Sequence, residues 1–326
     1  MSEDDAQLKM VELHCHLDGV PDPAMLAALE ASGVVPAVSS EELRCAYPVH
    51  TNDDFIRWFE VAHRLEHKLD GPHAILAEHV GRLVRQGVRY TELMVGSSTL
   101  PGPGESLDGL RRFREWLTEL EGGRIQVELL VAVSRTRSHQ WLDHLIDGLI
   151  PMCDEGLVVG LAIAGWPEQG YPVAPLRAPL RRARDHGMGI EIHAGEWAGP
   201  ESVWDALENG NPHRLGHAVS AFEDPRLLDV IQERGVHLEF CLTSNLKTGA
   251  IRRMEDHPLA RARDLGLSFS LHTDDPGPFE CTLSSEHQLA RDVFGFTTED
   301  LKQMNRDALE ARFQRSLRGP PASRLA

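Results

Sequence analysis

Cysteine is scarce and carries no pairing pattern. The five residues, Cys15, Cys45, Cys153, Cys241 and Cys281, are odd in number, scattered and nowhere spaced C-x-x-C. That argues against a disulfide framework and fits a reducing compartment. Basic charge is also short. Lys and Arg total 33 against 50 Asp and Glu, a formal net charge of −17, and only Lys9, Lys68, Lys247 and Lys302 are lysines. An acidic surface of this size argues against nucleic acid or an anionic membrane as the main partner. No run approaches the roughly 20 apolar residues needed to cross a bilayer. No solenoid-period repeat or low-complexity tract is present. The first ten residues, MSEDDAQLKM, are acidic and polar, unlike a signal or transit peptide. These absences predict a soluble cytoplasmic protein.

What is present is ordinary globular composition: 326 residues, 41% hydrophobic and 25% charged. Eight short apolar runs recur: Met10–Leu17, Val88–Gly96, Ile125–Val133, Leu157–Gly165, Gly189–Glu196, Arg214–Val219, Val236–Ser244 and Leu267–Asp275. Nearly continuous apolar runs suit strands buried on both faces of a parallel sheet. Helix-like segments such as Leu110–Glu121 and Pro225–Arg234 lie between most of them. Eight β-then-α units predict an α/β fold, a (β/α)8 barrel, as a single domain over 1–326. About 70 residues separate the first two runs, including the aromatic-rich stretch Asn52–His67. A helical insertion at about 20–85 is placed either to roof an active site or to pack on the barrel wall. Leu283–Leu317 reads as extra closing helices.

The candidate chemistry sits at the ends of these runs. Alternate side chains of a strand share a face, so His14 and His16 point one way and Cys15 the other. Two imidazoles side by side suit a transition metal, although H-x-H alone arises by chance in a chain with 17 histidines. The fifth run ends in His193-Ala194-Gly195-Glu196, the sixth carries Gly216-His217, and the eighth ends in Thr273-Asp274-Asp275-Pro276. In a barrel all these ends converge on one rim. Three imidazoles and a carboxylate would bind a divalent ion able to activate water, with Glu196 a proton shuttle that is not a ligand. Glu239 is either a partner of a ligand histidine or a satisfied barrel carboxylate. His63, His67, His73 and His79 fall in helical stretches and read as surface residues.

As a set, VELHCHLDG, HAGE, RLGHA and SLHTDDP resemble the four motifs of the adenosine deaminase family in the right order, and CLTSNLKTGAI resembles its segment after the seventh strand. The resemblance spans Val11 to about Leu317. It implies a (β/α)8 barrel, one Zn2+ per subunit and hydrolytic deamination of a purine. By position, His14, His16, His193 and Asp274 match the zinc ligands. Glu196 matches the acid that protonates purine N1, and His217 the histidine that orients and polarises the attacking hydroxide. With Asp274 these form the implied catalytic group. Asp275 matches the carboxylate at N7, Gly165 the glycine whose N–H meets N3, and Asp18 the residue bonded to a ribose hydroxyl; His16 also faces the substrate. Phe55, Trp58 and Phe59 align with apolar residues at the family's substrate entrance, although such spacing also suits a packed helix.

Three departures bear on the substrate. Ala162 stands where the family usually has Asp, His272 where it often has Asn, and Glu92 is followed by Leu-Met-Val-Gly-Ser-Ser rather than an E-x-R-like pattern and Pro. Ala162 and the altered second-strand end are expected to enlarge the pocket. The expected substrate is adenosine or 2′-deoxyadenosine. Alternatives are a 5′-modified adenosine such as aminofutalosine, adenine itself, or a silent nucleoside-binding barrel. A binuclear site on a carbamylated lysine is excluded, because the fourth run has no lysine. Absence of P-C-x-x-C excludes the other zinc deaminase class.

Overall fold

The computed structural model describes residues 9–31, 33 and 71–314. Eight strands form one parallel sheet in sequence order: β1 Met10–His16, β2 Val88–Gly96, β3 Gln126–Ser134, β4 Gly160–Ala164, β5 Gly189–Ala194, β6 Arg214–His217, β7 His237–Phe240 and β8 Phe269–Leu271. The eighth meets the first through a parallel bridge between Cys15 and Asp274. There the Asp274 N–H donates to the His14 carbonyl at 3.0 Å and the His16 N–H to the Asp274 carbonyl at 2.8 Å. The sheet thus closes as the predicted (β/α)8 barrel.

The strands are buried on both faces, which is why their sequences are nearly continuous apolar runs. The helices between them are bounded by local signals. Pro225–Arg234 begins at Asp224, whose side chain accepts the Arg226 N–H, has Pro225 in its first turn, and stops at a left-handed Gly235. Leu283–Phe294 and Thr298–Ala311, the closing helices, each start with a capping box, at Thr282 and Thr297. Thr298–Ala311 packs on β8 and β1. Just beyond it Phe313 packs with Met94, Leu130, Val159 and Ala162. A Cβ on Gly189 would lie 2.2 Å from the Phe313 ring, so this close approach needs a residue without a side chain.

Ala162 does not enlarge the pocket. It is fully buried in that Phe313 cluster and is not part of the cavity wall described below. His79 is not a surface residue. It lies on the inner stripe of the helix Gly71–Gln86 with Ile75, Leu76 and Val80, 5% exposed, with Nε2 3.8 Å from Cys15 Sγ. Helical periodicity turned this histidine, unlike the exposed His73, towards the barrel wall. Of the insertion at about 20–85, Pro23–Ala31 and Gly71–Gln86 are helices, and the second packs on β2. Phe55, Trp58, Phe59, His63 and His67 lie outside the described residues.

Candidate active site

The strand ends bring His14, His16, His193 and Asp274 together, their ligand atoms all within 4.8 Å of one another. Asp274 Oδ1 is 3.3 Å from both His14 Nε2 and His16 Nε2, and His16 Nε2 is 3.3 Å from His193 Nε2. Ligand atoms at tetrahedral zinc distances are separated by about 3.3–3.4 Å, so these three pairs of the quartet are already at coordination spacing. Buried His14 Nε2 has no hydrogen-bond partner among the described residues. Two facing imidazole nitrogens and an orphaned third suit a cation between them better than a network of hydrogen bonds.

Two of the candidate ligands are held from behind. His14 Nδ1 is 2.9 Å from Glu239 Oε2, and His193 Nδ1 is 3.1 Å from Glu191 Oε1. Such carboxylate partners set the tautomer that leaves Nε2 free for a metal. Glu239 also meets Arg214 Nε at 2.5 Å, and Arg214 Nη2 meets Glu92 Oε2 at 2.6 Å, all fully buried. Burial would raise the Glu239 carboxyl, but the Arg214 guanidinium and the His14 hydrogen bond hold it below its ordinary range. Gly216 makes room for this layer. A Cβ there would lie 2.5 Å from Glu191 Oε1 and 2.8 Å from His14 Cε1.

Glu196 and His217 face each other beside the quartet, Oε2 to Nε2 at 3.5 Å. Burial, followed by the charges of Asp274 and Glu168, pushes the Glu196 carboxyl well above its usual value, which favours its protonated form. Burial brings His217 down to about 3, so its ring is neutral. His217 and Asp274 both carry positive φ, 62° and 61°. Backbone strain of this kind turns the strand-end side chains into the mouth.

A cavity of about 310 Å³ opens over these groups. Its wall includes His16, Asp18, Gly165, Glu196, Asp274 and Asp275. Asp275 is raised by burial and then by Asp274 and Asp18, and its Oδ1 is buried without a hydrogen-bond partner among the described residues. Ser97 and Ser98, from the altered end of the second strand, also line it, whereas His272 does not. His272 lies below, accepting the Leu13 N–H at 3.0 Å and meeting Ser270 Oγ at 2.6 Å.

Several supporting residues escaped the sequence reading. The buried Glu168 carboxylate accepts four successive backbone N–H groups, Gly195 at 2.6 Å, Glu196 at 3.1 Å, Trp197 at 2.8 Å and Ala198 at 2.9 Å, and also the Ser202 hydroxyl. It pins the turn that carries Glu196. Arg135 donates to the His193 carbonyl from the other side. The short helix Leu242–Lys247 and the residue after it support three site groups at once. Ser244 donates to Asp274 Oδ2 at 2.7 Å, Asn245 Nδ2 is 3.0 Å from His217 Nδ1, and Thr248 donates to Glu196 Oε1 at 3.4 Å. Glu191 carried a signal, since it shares the strand face of His193 two residues on, and Ser244, Asn245 and Thr248 lie in the segment CLTSNLKTGAI, whereas Glu168 and Arg135 carried none.

The family model for adenosine deaminase matches residues 10–317. The adenosine deaminase of Shigella flexneri serotype 5b (strain 8401) is 31% identical over 327 residues, covering 95% of this chain and 95% of that protein. The N6-mAMP deaminase of Arabidopsis is similar in structure, with a TM-score of 0.76 at 25% identity, covering 96% of each chain. An adenine deaminase from Arthrobacter aurescens shares the fold with a TM-score of 0.79, at 22% identity and 94% coverage of each chain. Among the described residues no helix is long and apolar enough to cross a membrane.

Proposed function

Since this chain belongs to the adenosine deaminase family, a family of purine amino-hydrolases, we propose that it hydrolyses adenosine or 2′-deoxyadenosine to inosine or 2′-deoxyinosine and ammonia. The carrying observation is one cavity whose wall holds His16, His193 and Asp274 of the quartet, with Glu196 and, just past β1, Asp18. His14, His16, His193 and Asp274 would hold one zinc ion per subunit. Bound there, zinc acts as a Lewis acid that makes water a usable nucleophile at neutral pH.

The chain's own residues do the rest. Glu196 donates its proton to N1, which makes C6 electrophilic. His217 hydrogen-bonds the water oxygen that attacks C6; Glu196, left ionised, takes the proton this water gives up and passes it to the amino group, so the C6–N bond of the tetrahedral carbon breaks with ammonia as the leaving group. Asp275 and the Gly165 N–H would hold N7 and N3, so the purine enters in one orientation. Gly165 has φ +97° at the end of β4, a conformation open to glycine and strained for other residues. Asp18 would take a ribose hydroxyl, which favours a nucleoside over a free base. The Arabidopsis relative, an N6-mAMP deaminase by name, and the two serines at the end of β2 support a second reading, a 5′-substituted adenosine.

The test is ammonia release by metal-loaded protein from adenosine, 2′-deoxyadenosine, AMP, other 5′-modified adenosines and adenine, with Glu196→Gln alongside. Adenosine is expected to turn over fastest. The variant is expected to keep its metal and lose about 10²- to 10⁴-fold in kcat. A preference for a 5′-modified substrate would overturn the adenosine assignment, and an unimpaired Glu196→Gln would overturn the role of Glu196.

A further inference from the structure

A line of buried hydrogen bonds leads from a backbone amide to His217, and its first donor is unambiguous. The Leu259 N–H donates to His257 Nδ1 at 3.1 Å. A backbone amide cannot accept at that nitrogen, so His257 Nδ1 is the bare, accepting atom and its proton is on Nε2. His257 Nε2 lies 3.3 Å from Asn245 Oδ1, which the Nε2–H requires as its acceptor. The orientation of the Asn245 amide is thereby fixed: its oxygen faces His257 and its NH2 faces His217 Nδ1 at 3.0 Å. An amide NH2 only donates, so His217 Nδ1 accepts. His257, Asn245 and His217 are all buried, 3%, 0% and 0% exposed, so no solvent intrudes to reset the order.

We infer that His257 and Asn245 are positioning residues that lock His217 in the tautomer with its proton on Nε2, the nitrogen facing the reacting centre. This deepens the proposed reaction. A neutral ring with Nε2–H can donate to the attacking oxygen but has no lone pair there to take a proton from it. His217 is then an oxygen-orienting donor, and proton transfer in the site falls to Glu196. His217 Nε2 has no hydrogen-bond partner among the described residues, which leaves its N–H free for that oxygen. His217 and Asn245 lie in the RLGHA and CLTSNLKTGAI segments, but no local spacing announces the line. Asn245 and His257 are 12 residues apart, and His217 is 28 residues from Asn245.

The discriminating change is Asn245→Asp, nearly equal in shape but an acceptor on both oxygens. Its carboxylate still satisfies His257 Nε2–H, but it draws a proton onto His217 Nδ1. In the serine protease triad, a wrong histidine tautomer costs about 10⁴-fold in kcat. Here a loss of at least 10²-fold is expected, with KM within about threefold and the thermal midpoint and metal content near wild type. A role in folding alone would instead move the midpoint and spare kcat. Nitrogen-15 spectra of histidine-labelled, metal-loaded protein read the tautomer without turnover. The wild type is expected to show His217 protonated on Nε2, and the variant to show protonation on Nδ1. An Nδ1–H in the wild type, or an Asn245→Asp kcat within twofold of wild type, overturns the inference. If wild-type protein turns over no purine nucleoside, the proposed function fails, while the spectra still decide the tautomer.

Discussion

Replacing Glu239 with glutamine tests whether the buried carboxylates tune the metal site or merely balance charge. Glu239 has two partners, a hydrogen bond with His14 Nδ1 at 2.9 Å and an ion pair with Arg214 Nε at 2.5 Å. A glutamine has one acceptor oxygen, so either His14 or Arg214 would face an NH2 group. Loss of such a partner behind a ligand histidine typically costs 10- to 100-fold in metal affinity, about 1.4–2.7 kcal/mol. Breaking a buried ion pair costs about 3–5 kcal/mol of stability, an upper bound here because Arg214 keeps Glu92 at 2.6 Å. Glu92→Gln is the control. It removes the other Arg214 partner without touching His14. Metal affinity would be read by competition with a chelator, and stability by urea unfolding of metal-free protein. Both variants are expected to lose stability, and only Glu239→Gln to lose metal affinity by tenfold or more. Equal loss of affinity in both would place the effect in the fold and refute the role of the His14 contact.

Other perturbations have outcomes of similar sharpness. Gly216→Ala drives a methyl group into Glu191 and His14, so metal affinity should fall and stability drop by about 1–3 kcal/mol, checked by thermal unfolding with and without metal. Asp18→Ala should raise KM for adenosine by about 10- to 150-fold, the worth of one charge-assisted hydrogen bond, while leaving KM for adenine nearly unchanged. Equal effects on the two would remove the ribose contact. His79 is held at about 3 in the fold by burial and then by the Arg82 charge, against 6.5 ordinarily. Its depressed value means that the unfolded chain binds a proton that the folded chain does not, so stability is present above pH 6.5 and lost as pH falls towards 3. By pH 4.5 this one group accounts for about 2.7 kcal/mol. His79→Leu should therefore flatten the acid limb of the pH–stability curve by about one proton, read by urea titrations between pH 4.5 and 7.5. An unchanged slope would mean that His79 titrates normally.

The sequence by itself determined the barrel and which candidate groups stand at its strand ends. Eight apolar runs with helices between them have few other ways to bury both faces, and the ends of parallel strands must converge. His14 and His16 were legible because a strand has period two. His193, Glu196, His217, Asp274 and Asp275 were legible because each closes a run. The family resemblance then gave each an expected role.

The tertiary structure alone decided what stands behind those groups. Glu168 reaches the turn after β5 from 27 to 30 residues away, and Arg214 reaches Glu92 across 122 residues. No local periodicity encodes such contacts. Ala162 read as a pocket change and proved to be buried packing below the cavity, because a strand position shows its face but not its depth along the barrel. His79 read as surface and proved to be buried, because a polar residue on an apolar helical stripe goes where the stripe goes. The proton on His217 depends on an amide 42 residues further along the chain, at Leu259. A tautomer is set by which donors and acceptors meet in three dimensions, and that meeting is a property of the closed barrel.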